Sequence, residues 1–215
     1  DTTMAARLHS GSGTVPAVLA VAEWQGLSGK EMLRAMAIGY EVGARVGEAI
    51  QPSHWYEGFQ ATGTIGSIGA AAAVASLFGF DADAMAGVLG VAGFILPISN
   101  GDGVFQGFSI KPVHGGMAAQ AGVQAALLTR SGYEAGPPEG LPPRYHGFMN
   151  ISSEKIDSAA LVKGLGSEWL ALDCSQKAYP VGLLNIGPIE VTLNLVQDHD
   201  IPPESVERVD VTSYT

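Results

Sequence analysis

The chain has 215 residues, with 11 Lys and Arg against 21 Asp and Glu, and a formal net charge of −10. At a pI of about 4.8 it has no basic stripe to neutralise phosphates, which argues against nucleic acid and anionic membrane surfaces as partners. Only 15% of the residues are charged and 47% are apolar, against about 25% charged in an average soluble domain. A large core and a large buried interface are therefore expected, the interface as a homodimer contact.

In chain order, TVPAVLAVAEWQG (14–26) predicts a helix, with Thr14 as N-cap, Pro16 in the first turn and Gly26 as C-cap. A second helix over 28–50 opens on Ser28 and Glu31, the two halves of a capping box. The third, TGTIGSIGAAAAVASLFG (62–79), is almost all small residues. Glycines inside an exposed helix cost about 1 kcal/mol each relative to alanine. Gly63, Gly66 and Gly69 make sense where another backbone packs on that face or a ligand sits near the helix start. A helix over 81–96 begins with two acids, which suit the positive end of its dipole. A further small-residue helix covers 115–132.

Pro- and Gly-rich 134–147 predicts a loop, 157–164 a short helix, and Trp169 to Cys174 extended chain. Residues 183–199 predict a helix with Pro188 near its first turn. In 201–215 the valines 206, 209 and 211 alternate with polar residues, which predicts a strand. A lone strand needs partners, so the chain reads as ending where a sheet-containing unit begins. At the other end DTTMAARLHSG starts in mid-loop. The expected organisation is a mainly α fold: a helical domain over 1–172, lacking its N-terminal helices, then the beginning of an α+β lid domain over 173–215. Such a piece alone is expected to be poorly active and prone to aggregate. A single cysteine, Cys174, leaves no intrachain disulfide and points to a reducing, cytoplasmic compartment. No signal peptide is expected, and the apolar run 87–99 is shorter than the ~20 residues of a membrane span.

Four segments carry candidate chemistry. In SIKPVHGGMAAQAG (109–122), Lys111 and His114 precede glycines at a helix mouth, where free amides and a cation together form a carboxylate or phosphate pocket. The alternative is a solvated loop lysine and a capping histidine. In TMAARLHSGSGT (3–14), Arg7 and His9 precede another helix start, and His9 reads as either a structural or a proton-transferring histidine. In SQKAYP (175–180), Lys177 stands beside Tyr179. In HWYEGFQATGT (54–64), the aromatics read as core and Gln60, Thr62 and Thr64 as helix caps or site residues. No Walker, GxGxxG or GxSxG pattern occurs, and the histidines lack zinc-ligand spacing.

Taken in order, Asp1–Thr2 with LHSGSGTVPAVLA (8–20), GFQATGTIGSIGAAAA (58–73), IKPVHGGMAAQAG (110–122) and QKAYP (176–180) resemble the MmgE/PrpD family. That family includes 2-methylcitrate dehydratase, cis-aconitate decarboxylase and iminodisuccinate epimerase. The resemblance implies a helical domain, a smaller α+β lid, a dimer, and an interdomain cleft that binds di- or tricarboxylates without metal or other cofactor. It puts Thr2, His9, Lys111 and Lys177 at catalytic positions and Arg7, Gln60, His114 and Tyr179 near the substrate. It implies a lyase working by α-proton chemistry, with 2-methylcitrate-like dehydration foremost and decarboxylation or epimerisation open. Lys111 would then be the substrate's counter-ion. Three features depart from the pattern: Gln60 replaces the histidine of the GFH-x-T motif, VGLLNIGPIE (181–190) replaces a Cys- and Thr-His-bearing stretch, and the chain lacks an acidic residue just before Asp1. The alternative from another class is a non-catalytic helical interaction module. Convergence of His9, Lys111 and Lys177 on one cleft separates the two readings.

Overall fold

Every residue from Ile65 to Ser76 is buried in the computed structural model of the chain, which describes residues 1–141 and 145–212. These residues belong to helix α4 (Ile65–Leu77), whose sequence offers no polar face to water. It is enclosed by α1 (Ser10–Gln25), α2 (Gly29–Ile50), α5 (Ala82–Ile95) and α7 (Val113–Arg130). Small residues let the backbones close in. A Cβ on Gly69 would lie 2.7 Å from the Gly39 carbonyl oxygen of α2, and one on Gly122 of α7 would lie 2.5 Å from Ala70 Cβ. Of the two reasons for a glycine-rich helix, backbone packing accounts for Gly69.

The fold is mainly helical, and local signals set several helix ends. Ser28 Oγ accepts from Glu31 N–H while Glu31 Oε2 accepts from Ser28 N–H, the reciprocal capping box. Asp81 Oδ1 accepts from Ala84 N–H at the start of α5, and Gly26 ends α1 with φ at 66°. Two starts come earlier than the sequence predicts. Helix α1 begins at Ser10 with His9 at its N-cap, not at Thr14, and α7 begins at Val113.

Between the long helices lie short turns: α3 (Ser53–Tyr56), α6 (Asp102–Phe105) and α8 (Phe148–Ile151). The predicted loop 134–147 carries a small hairpin, β2 (Gly140–Leu141) with β3 (Tyr145–His146); residues 142–144 of that loop lie outside the described residues. Strand β1 (Thr2–Thr3) pairs antiparallel with β4 (Cys174–Ser175), Thr2 opposite Ser175.

The predicted short helix over 157–164 is a series of turns. The reason is a buried ion pair on α2. Arg45 Nε donates to Glu41 Oε1 at 2.6 Å, and its Nη atoms donate to the carbonyls of Leu161, Lys163 and Glu168. Glu41 Oε2 accepts from Ala171 N–H, so Leu170–Asp173 winds into a 3-10 turn rather than the extended chain predicted there.

The chain divides into two compact units, Asp1–Ser175 and Gln176–Thr215. The second holds α9 (Ile186–His199), preceded by a 3-10 turn at Leu183–Asn185. Among the described residues the predicted strand over 201–215 is not formed. Residues 203–205 make a 3-10 turn, 206–212 carry no ladder hydrogen bonds, and 213–215 lie outside the described residues. The alternating valines 206, 209 and 211 are exposed, and alternation alone does not make a strand without a partner ladder.

Behind the start of α4 sits His54, fully buried. Its Nδ1 donates to the Ser152 carbonyl at 2.9 Å, its Nε2 accepts from the Thr64 hydroxyl at 2.8 Å, and its ring stacks on Phe59. Burial pushes its pKa down to about 4 from 6.5, partly offset by the Ser152 bond. The unfolded chain therefore takes up this proton near pH 6.5 while the folded one resists until about 4. The stabilising difference is fully present above pH 6.5 and is lost as pH falls through that window, on the order of 3 kcal/mol. In urea unfolding, His54→Gln should be less stable than wild type at pH 7, and the gap should narrow steadily down to pH 4.

Candidate active site

The first ten residues fold back on themselves. Thr3 and Leu8 exchange backbone hydrogen bonds at 2.8 and 3.2 Å, with Arg7 at a φ of 50° turning the loop between them. This hook sets Thr2 beside His9 and Thr3 beside Ser10, with oxygen-to-nitrogen and oxygen-to-oxygen separations of 3.2 and 3.1 Å. His9 Nδ1 lies 2.8 Å from the Asp1 carbonyl oxygen, which also accepts the Thr2 hydroxyl at 2.7 Å. A carbonyl only accepts, so Nδ1 carries a proton, and a neutral His9 ring has its lone pair on Nε2. That is the nitrogen able to take a proton.

The network continues to the second motif. His9 N–H donates to Thr62 Oγ1 at 3.4 Å, Thr62 N–H donates to the Gln60 side-chain carbonyl at 2.7 Å, and Gln60 N–H donates to the Ser99 carbonyl at 2.7 Å. Gln60 is buried. Thr2, His9 and Gln60 thus sit on one connected set of hydrogen bonds.

The third motif arrives by close packing. The first turns of α1, α4 and α7 meet: a Cβ on Gly13 would lie 3.1 Å from Ala118 Cβ and 3.5 Å from the Gly66 carbonyl oxygen. A Cβ on Gly115 would lie 2.8 Å from the Ser12 carbonyl oxygen, and Ser12 donates through N–H and Oγ to the His9 carbonyl. The turn bearing Lys111, one helical turn before Gly115, is thereby fixed against the helix start that His9 caps.

Several amides at the helix starts are taken up: Val113 and His114 N–H donate to the Ile110 and Lys111 carbonyls, Gly11 N–H to Asp1 Oδ2, and Gly63 and Thr64 N–H to the Gln60 carbonyl. Gly115 also serves helix contact through the Ser12 backbone. Lys111 is half-buried. His114 does not cap α7, whose N-cap is Pro112. It lies in the first turn, 9% exposed, with Nδ1 buried and without a hydrogen-bond partner. Burial, then the Lys111 charge, lowers its pKa and keeps it neutral.

The remaining predicted residues are Arg7, Lys177 and Tyr179. The Arg7 guanidinium stands 5.5 Å from the Trp55 ring centroid and 5.8 Å from that of Tyr56, a cation–π setting. Lys177 and Tyr179 belong to the second unit, where Tyr179 O–H donates to Glu190 at 3.2 Å. Among the described residues no group of three or more His, Cys, Asp or Glu is placed to hold a metal ion. One group of the site has no sequence signature: Tyr40, whose hydroxyl meets the Asp1 carboxylate at 3.0 Å from 39 residues away.

The chain is a helical domain whose motif residues Thr2, His9 and Gln60 gather on one hydrogen-bond network, with the turn before α7 packed against the same helix start. Residues 1–160 match the model of the MmgE/PrpD N-terminal domain, and the chain belongs to the MmgE/PrpD family. It is 31% identical over 224 residues to cis-aconitate decarboxylase of Aspergillus terreus, covering 97% of this chain and 44% of that protein. It is also 31% identical over 183 residues to the cis-aconitate decarboxylase-like protein oryM of Aspergillus oryzae, covering 77% and 36%. The chain spans less than half the length of these relatives.

The Ser12–Gly115 contact can be tested by a pair of neighbouring substitutions. Gly115→Ala should lower stability by about 1–3 kcal/mol, because backbone rather than a flexible side chain is in the way. Gly116→Ala meets nothing within 4 Å and should be neutral or stabilising through helix propensity. Denaturant midpoints of both variants in the complete protein give the comparison.

Proposed function

We propose that this chain forms part of a lyase that acts on a small di- or tricarboxylate through a proton moved at carbon next to a carboxylate. The observation that carries this reading is the His9 arrangement: Nδ1–H held by the Asp1 carbonyl, Nε2 left as the basic nitrogen, and the Lys111 turn packed against the same helix start. Taking a proton α to a carboxylate puts more negative charge on that carboxylate, and a preorganised lysine stabilises the charge as it develops. The family resemblance implies Lys177 as a further catalytic residue. The chemistry asks for proton transfer and charge stabilisation alone, so activity should persist in the presence of a chelator.

Decarboxylation of a cis-aconitate-like acid is the foremost reading of the step. The curated relatives carry that activity in their names, and the site's composition supports it. Loss of CO2 breaks one C–C bond and leaves an electron pair delocalised onto a conjugated carboxylate, and His9, once its Nε2 has taken a proton from water, gives that proton to carbon. Dehydration of a 2-methylcitrate-like hydroxy acid needs a proton taken from carbon and another given to the departing hydroxyl. Gln60 cannot exchange a proton, so this second reading requires its acid from elsewhere. We further propose a homodimer, supported by the low charge density and by exposed apolar side chains such as Phe94 and Ile98. A cytoplasmic site of action is supported by the single cysteine. No helix among the described residues is long and apolar enough to cross a membrane.

The complete protein should be incubated with cis-aconitate, 2-methylcitrate, citrate and iminodisuccinate and its products followed by NMR. Release of CO2 from cis-aconitate is the expected result, and turnover of 2-methylcitrate alone would favour dehydration. On the best substrate, Lys111→Ala should lower kcat/KM roughly tenfold to a hundredfold, the size of one charge-assisted hydrogen bond, with little change in melting temperature. Wild-type kinetics in that variant would remove Lys111 from the site.

A further inference from the structure

We propose that Tyr40, acting through Asp1, is a positioning residue that holds His9 in the tautomer with Nδ1 protonated and Nε2 basic; this rests on the reading of His9 as the proton-transfer group. The Asp1 carboxylate is an acceptor anchored from three elements. Its Oδ2 takes Tyr40 O–H of α2 at 3.0 Å, Gly11 N–H of α1 at 2.6 Å and the Cys174 thiol of β4 at 3.8 Å. The carbonyl of the same residue takes His9 Nδ1–H and the Thr2 hydroxyl. The side chain therefore fixes the backbone group that chooses the tautomer. An imidazole has two nearly equivalent neutral forms, and the bond made at one nitrogen decides which one is basic.

The fit around the anchor is close. A Cβ on Gly11 would lie 2.4 Å from the Tyr40 hydroxyl and 2.7 Å from Asp1 Oδ2, so only glycine lets the three groups meet. Burial, then the neighbouring Cys174, raises the Tyr40 pKa, which keeps the phenol protonated and donating. The β1–β4 pairing, with Thr3 opposite Cys174, ties the thiol to the strand that follows Asp1. Removing the phenol proton donor frees one side of the carboxylate. The carbonyl can then swing, and the ring loses its preference for Nδ1–H.

The test reads the tautomer directly. Long-range 15N NMR of the complete protein, with His9→Gln to assign the ring, should show wild-type His9 with Nδ1 protonated and Nε2 bare near neutral pH. Tyr40→Phe, which deletes a single oxygen, should shift both ring nitrogens toward the averaged values of a tautomer mixture. It should also lower kcat about tenfold at similar KM, the size of one lost positioning bond. If Tyr40→Phe melts far below wild type, Asp1→Ala makes the same measurement from the other side of the bond, with the same shift expected. Unchanged His9 nitrogen shifts in the folded variant overturn the proposal, as does a wild-type ring protonated on Nε2. A wild-type protein that turns over no polycarboxylate overturns the functional reading instead, and the nitrogen shifts still decide whether Tyr40 sets the tautomer.

Discussion

Helix α4 is approached by its neighbours at distances a single methyl group would forbid, and the site depends on that contact. Gly39 against Gly69, and Gly122 against Ala70 and Ala71, bring α2 and α7 onto the central helix with backbone touching backbone. Gly13 and Gly66 do the same for the first turns of α1 and α4. Interfaces of this kind have no long side chains to repack, so helix starts are located to within tenths of an ångström. Sites carried on such elements keep their geometry better than sites on loops. The same small faces lower the charge density of the whole chain, because surfaces that would carry charge in an open bundle are here closed.

Cations are scarce in this chain, and four arginines have partners within the fold. Arg45 is committed to Glu41 and three carbonyls, Arg7 to the Trp55 and Tyr56 rings, Arg130 to Trp24 and Phe78, and Arg208 to Asp210. Each of these partners is structural. Several helix-start amides are likewise engaged by turns and by Asp1. An anion at the meeting point of α1, α4 and α7 would feel their dipoles, and in the proposed function Lys111, half-buried on the turn before α7, is its side-chain contact.

The sequence was most legible where partners are near in the chain. The Ser28–Glu31 box, the Asp81 cap, the Gly26 terminus and the burial of the all-small helix 62–79 follow from spacing and residue type. It was least legible where a remote side chain intervenes. Gly-Ser-Gly before Thr14 reads as loop, yet it is helix because Gly11 admits Tyr40 and Asp1 while Gly13 admits Ala118. The segment predicted as a helix over 157–164 is instead a series of turns, and its Leu161 and Lys163 carbonyls accept from Arg45, more than a hundred residues earlier. For the site, the ordered motifs named Thr2, His9, Gln60 and Lys111, but spacing could not show that glycine at 115 packs on Ser12, or that Asp1 and Tyr40 meet.

Gln60 and His114 together define how much positive charge the site can carry. Gln60 stands where the family motif has histidine, and its carbonyl is occupied by Thr62 N–H; it contributes orientation and no proton. His114 is held neutral by burial and by the Lys111 ammonium beside it. In the proposed reaction Lys111 supplies fixed charge, and His9 is the ring on the Thr2–Asp1–Gln60 network whose charge changes. Fixed charge beside one movable proton fits a reaction in which a single nitrogen gives up or takes one proton at carbon. A second protonated ring beside Lys111 would bind a polycarboxylate more tightly in its ground state, yet binding that is equal in ground and transition states does not raise kcat. Keeping His114 neutral leaves the change in charge where the bond to carbon changes.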